Sequence, residues 1–127
     1  MEPEEFLSAV LPSSGLYCVC EFTTKNRNHF FSKTTKEMVQ NSDNLVQQNI
    51  DSYFALASFK SKRRTQEQVV AQKSLFVDLD VDSGKPDKAY ATKKEAEKAF
   101  KNFMKTTELE KFGQPIIVSS GGGYHIY

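Results

Sequence analysis

Leu75-Phe76-Val77-Asp78-Leu79-Asp80-Val81-Asp82 is the segment from which the rest of this chain is most readily understood. From Val77 onward, apolar and acidic residues alternate. Successive side chains of a strand point to opposite faces. Leu75, Val77, Leu79 and Val81 therefore share one face, and Asp78, Asp80 and Asp82 share the other, with Phe76 ahead of them. Carboxylates two residues apart on one face are ~7 Å apart at Cα. Like charges at that spacing repel in a partly desolvated place, and a divalent cation resolves the conflict. Oxygen ligands select Mg2+ or Mn2+ over zinc. A solvent-facing edge strand protected by acidic residues is the other reading of the same alternation.

The apolar face of such a strand needs a cover, and the sequence downstream offers one. Thr92 followed by Glu95 forms a capping box at the start of a helix over 92–105. Ala96, Ala99, Phe100, Phe103 and Met104 make an apolar stripe at helical spacing, and lysines on the opposite side read as a solvated face. A short helix over 108–111 ends at Gly113 and Pro115, and 116–119 reads as a buried strand. Ser120-Gly121-Gly122-Gly123 is then a glycine turn, with a strand through Tyr124-His125-Ile126-Tyr127 after it. Glycines permit positive φ and a close approach of backbone N–H groups to a ligand. His125 lies where it can donate to a phosphate oxygen, with Tyr124 and Ile126 directed into the core. The turn is neither a Walker loop nor a dinucleotide fingerprint, because no Gly-Lys-Ser/Thr and no helix follow it.

Upstream, residues 3–10 read as a helix with an acidic first turn, stopped by Pro12. Residues 16–22 read as a strand, 24–28 as a hairpin loop and 29–31 as the returning strand. Thr34 and Glu37 form a second capping box, opening a helix that Asn41-Ser42-Asp43-Asn44 is expected to interrupt. Residues 53–59 read as one strand. Lys60, Lys62, Arg63 and Arg64 form a basic loop suited to template or phosphate contacts, or simply to solvent. The sum is an α+β fold with a mixed or antiparallel sheet and flanking helices.

With 127 residues the chain is one domain at most, and 39% hydrophobic content with ten Phe and five Tyr supports a real core. A net charge of +1 neither announces nor excludes nucleic acid. Cys18 and Cys20 share a strand face, but no second pair completes a zinc site, so they read as core thiols in a reducing compartment. The start of the chain is acidic and lacks a signal-peptide core, and no run suits a membrane span. The chain stops at Tyr127 inside an apolar stretch, from which we expect it to be part of a longer protein.

Phe76-Val77-Asp78-Leu79-Asp80 and Ser120-Gly121-Gly122-Gly123-Tyr124-His125 together resemble the first two motifs of the archaeo-eukaryotic primase superfamily, above all the primase-polymerases of phages and plasmids. The likeness covers residues 15–127. It implies a single, incomplete catalytic domain with an RRM-like core: 15–73 an N-terminal αβ part, 74–127 the part bearing both motifs, and the third-motif carboxylate absent. It also implies template-directed nucleotidyl transfer in replication priming. Asp78 and Asp80 would hold two divalent ions, Mg2+ or Mn2+, one serving the attacking 3′-hydroxyl and one the triphosphate. Ser120, Gly121, Gly122, Gly123 and His125 would bind the nucleotide's phosphates. Implied partners are nucleoside triphosphates, a single-stranded DNA template and a helicase domain or protein, in the cytoplasm of a phage or plasmid host. Some family members carry serine where this chain has Gly123, so one hydroxyl donor is missing here. Two other classes compete. A catalytically inactive single-strand-binding module predicts salt-sensitive, metal-independent binding. A nicking replication initiator needs a nucleophilic tyrosine near a histidine cluster, which the sequence does not supply.

Overall fold

A computed structural model of the chain describes residues 1–127, which fall into two compact units, Met1–Ser74 and Leu75–Tyr127. Every strand ladder is antiparallel, and three α-helices accompany the sheets, giving an α+β architecture.

In the first unit, α1 (Pro3–Val10) starts on a proline, which loses nothing at a position where the N–H has no helical partner. Leu7 and Val10 are its buried residues. The sheet has the order β2-β1-β3, with β1 (Tyr17–Phe22) flanked by β2 (His29–Ser32) and β3 (Asp51–Phe54). As the middle strand, β1 is buried on both faces. Cys18 and Cys20 are free, buried thiols, and burial pushes the Cys18 thiol up to about 11.

The α2 helix (Thr35–Gln47) opens as its capping box predicts, with the Glu37 N–H donating to Thr34 Oγ1 at 3.2 Å. It is continuous through Asn41–Asn44, contrary to the expected interruption. The polar residues there are anchors rather than breaks. Asn41 Nδ2 donates to Ser32 Oγ at 3.0 Å, and the Ser42 and Ser52 hydroxyls are 2.7 Å apart, both tying the helix to the sheet.

The single strand expected over 53–59 is two. β3 ends at Phe54, and β4 (Ala57–Phe59) pairs instead with β5 (Val69–Gln72) after the chain bends at Ala55 and Leu56. Hydrophobicity runs straight through this bend, because Ala55 is itself buried in a cluster with Cys18 and Phe59.

In the second unit, the sheet order is β6-β8-β7, with β6 (Val77–Asp80), β7 (Ile117–Ser119) and β8 (Gly123–Ile126). The acidic strand is thus at an edge, the placement in the second reading of its alternation, and the histidine strand takes the middle. β6 is also shorter than the 75–82 segment, and Leu75 is 67% exposed ahead of it. The α3 helix (Lys93–Thr106), capped by Thr92, covers one face of this sheet through Ala96, which packs with Leu79 and Ile126 and is flanked by Val77, Val81, Phe100 and Tyr124. The expectation of a buried strand over 116–119 is corrected. β7 is an exposed edge, with Ile117 54% and Val118 38% accessible.

Candidate metal and nucleotide site

The register of β6 against β8 sets the geometry. Asp78 lies opposite His125 and Asp80 opposite Gly123. The Val81 N–H donates to the Gly122 carbonyl at 2.7 Å. That bond lies just beyond the Asp80–Gly123 pair, which makes it a non-hydrogen-bonded pair, and the two-residue period makes Asp78–His125 another. Side chains approach most closely across such pairs. Asp78 Oδ1 is 3.6 Å from His125 Nε2, an ion-pair distance when the imidazole is protonated. Alternation then places Leu79, Tyr124 and Ile126 toward α3, as the cluster around Ala96 requires. Asp78, Asp80 and His125 occupy the other face, where Asp78 and Asp80 are exposed and His125 is half-buried.

The three glycines do different things. Gly121 and Gly122 form a two-residue hairpin loop closed by the Ser120 N–H on the Gly123 carbonyl at 3.1 Å. Gly121 has φ +87°, the positive φ that such a turn asks of its first residue. A Cβ added at Gly121 or Gly122 would meet nothing within 4 Å, so the loop stands open. Gly123 is the reverse. A Cβ there would collide with the Leu79 carbonyl oxygen. No side chain fits at this position unless the two strands move apart.

Asp82, the third acidic residue of the alternation, turns away from the other two. Its carboxylate accepts the Gly84 N–H at 2.9 Å and pairs with Lys85 at 3.4 Å, closing its own loop. The Asp80 carbonyl accepts the Tyr90 N–H at 2.8 Å, so Tyr90 buttresses the end of β6 through its backbone.

No group of three or more His, Cys, Asp or Glu side chains converges as a metal cage. The donor chemistry still suits a hard cation. Mg2+ is commonly held by one or two carboxylates, with waters and substrate phosphates completing its shell, and Asp78 and Asp80 offer that number.

Two aromatic residues complete this face. Phe76, 46% exposed, sits with its ring centroid 5.5 Å from that of His125 and 5.3 Å from that of Tyr127. Burial, and then the nearby Asp78 carboxylate, hold the Tyr127 hydroxyl above the usual tyrosine range. The alternation that placed Phe76 with the aspartates also places Tyr127 with His125, a signal that sequence reasoning left unused.

A cleft of about 570 Å³ lies on the opposite, α3-facing side, lined by Leu79, Phe100, Met104, Pro115, Ile117 and Ile126 among others. It contains neither aspartate nor His125. Lys60, Lys62, Arg63 and Arg64 belong to the first unit, where all four are exposed and none forms an ion pair. No helix of the chain is long and apolar enough to cross a membrane. Comparison with protein-family models, with curated proteins and with solved structures finds no match to this chain.

Proposed function

We propose that residues 75–127 carry the metal- and triphosphate-binding part of a nucleotidyl-transfer site, in a protein that primes or extends DNA on a single-stranded template. The observation that carries this reading is the placement of Asp78 directly across from His125, with the open Gly121–Gly122 loop at the end of the same strand. One face thereby offers carboxylates for cations, an imidazole for an anion and backbone free of side chains for phosphate.

Asp78 and Asp80 hold the cation. His125 donates to a phosphate oxygen from its place across the ladder from Asp78, its Nε2 3.6 Å from Asp78 Oδ1. The Gly121–Gly122 loop lets phosphates approach the backbone without a clash. When bound, Mg2+ or Mn2+ supplies charge neutralisation at the transferring phosphoryl group and lowers the pKa of the attacking hydroxyl. Positioning and electrostatics carry most of the rate in such transfers. With only two carboxylates on this face, we expect the chain by itself to bind metal and nucleotide weakly and to polymerise nothing. The single-stranded template, with Lys60, Lys62, Arg63 and Arg64 as its contacts, a helicase partner and a cytoplasmic setting belong to the same proposal.

The exposed, unpaired basic loop favours a second reading, a single-strand-binding module without catalysis. Calorimetric titration separates the two. The first predicts that nucleoside triphosphate binds only with Mn2+ or Mg2+, and that Asp78→Asn/Asp80→Asn abolishes this. Binding of oligonucleotide alone, indifferent to metal and to both substitutions, would favour the second and overturn the first.

A further inference from the structure

The exposed face of the β6-β8-β7 sheet is graded along its strands. At one end stand the Gly121–Gly122 loop and Gly123 opposite Asp80. In the middle, Asp78 faces His125, with Val118 on the far side of His125. At the other end the register continues past Val77–Ile126, and Phe76 lies beside Tyr127, ring centroids 5.3 Å apart at an interplanar angle of 47°. The backbone holds this end in place, because Ile116 and Tyr127 exchange both N–H···O bonds at 2.9 Å.

We propose that Phe76, with Tyr127 beside it, is the stacking surface for the base of a nucleoside triphosphate whose phosphates lie toward the glycine loop. This rests on the nucleotide reading given above and adds an orientation and a named base-binding residue. A nucleotide has the same polarity as the face, apolar and π-faced at one end and anionic at the other. Aromatic faces carry negative electrostatic potential, so a phosphate is repelled from Phe76, whereas a base gains by stacking there. Phe76 is 46% exposed, and its ring is steadied by the His125 ring at 5.5 Å and 68°. A ring fixed in this way loses little conformational freedom when a base settles on it. His125 joins the two halves, since its ring supports Phe76 while its Nε2 faces Asp78.

The experiment compares a nucleoside triphosphate with inorganic tripolyphosphate, each with Mg2+, by calorimetry on the full chain. The chain has no tryptophan, so Phe76→Trp installs a single tryptophan at the proposed surface, whose emission can be excited apart from that of the tyrosines. We expect the nucleoside triphosphate to bind more tightly than tripolyphosphate. Phe76→Ala should weaken the nucleoside triphosphate by on the order of tenfold and leave tripolyphosphate unchanged. Phe76→Leu, which keeps an apolar residue of similar bulk without the ring, should behave as Phe76→Ala does. The Trp variant should be quenched by the nucleoside triphosphate and not by tripolyphosphate.

Metal-dependent tripolyphosphate binding with no preference for the nucleoside, or a preference that survives both Phe76→Ala and Phe76→Leu, overturns this inference and leaves the phosphate site standing. Failure of both ligands to bind overturns the two together. Quenching by an oligothymidylate without Mg2+, in the absence of quenching by the nucleoside triphosphate, assigns the surface to single-stranded nucleic acid and overturns the inference.

Discussion

Asp78 Oδ1 stands 3.6 Å from His125 Nε2 across adjoining antiparallel strands, and the two side chains remain 49% and 39% exposed. Solvent screens a pair so exposed, and such pairs contribute about 0–1 kcal/mol to stability. Structural need therefore gives no strong reason for an acid and an imidazole to be opposed here, whereas a shared ligand gives one. Asp78→Asn and Asp78→Ala should each change the unfolding free energy by less than about 1 kcal/mol in urea titrations. Both should weaken metal-dependent triphosphate binding. A large loss of stability in either variant would recast the pair as a fold determinant.

Gly123 makes the opposite prediction. Any Cβ there collides with the Leu79 carbonyl, so the strands must separate or shift register. Gly123→Ala and Gly123→Ser should each cost at least about 3 kcal/mol, the upper part of the overpacking range. Gly122→Ala, with nothing within 4 Å, should cost far less. Denaturant midpoints of the three variants provide the check, and equal midpoints would mean that the β6–β8 approach is looser than described.

Leu75 and Leu79 share a face by alternation yet differ in surroundings. Leu79 is 8% exposed against Ala96 and Ile126, while Leu75 is 67% exposed. Leu79→Ala should destabilise the second unit by about 2–4 kcal/mol. Leu75→Ala should stay within about 0.5 kcal/mol of wild type. Thermal or chemical denaturation followed by circular dichroism distinguishes them.

Tyr124 donates to Glu97 Oε1 at 2.7 Å, and ionising the phenol forfeits that bond. Its pKa is raised, first by this hydrogen bond and then by burial and by the Glu97 charge. Because the folded value lies above the unfolded one, the contribution to stability is fully present below the ordinary tyrosine pKa of 10.0 and is lost as pH rises through the folded value. Stability measured against pH should therefore fall in that alkaline window, and Glu97→Ala should flatten the fall. Phenolate absorbance should show one tyrosine titrating earlier in the Glu97→Ala protein.

Much of this was legible in the residues themselves. The capping boxes at Thr34 and Thr92 marked two helix starts because a side-chain oxygen three residues before a free N–H is a local signal. The alternation of 75–82 separated the face of Asp78 and Asp80 from that of Leu79 for the same reason. What failed was tertiary. Nothing local says that β8 rather than β6 takes the middle of its sheet, that β7 is an exposed edge, or that 53–59 bends at Ala55 to serve two sheets. The polar run Asn41–Asn44 misled because its partners, Ser32 and Ser52, lie on the strands before and after the helix and meet it only once the sheet has formed. Asp82 was separable from the other two aspartates only once Gly84 and Lys85 were seen to occupy its carboxylate.

The most direct test is paramagnetic. Mn2+ held by Asp78 and Asp80, as proposed, would lie next to the His125 imidazole, so substoichiometric Mn2+ with a nucleoside triphosphate should broaden the His125 ring proton resonances in NMR spectra of the chain. The broadening should vanish in Asp78→Asn/Asp80→Asn. Sharp His125 resonances under those conditions, or broadening that survives loss of both carboxylates, would contradict the account.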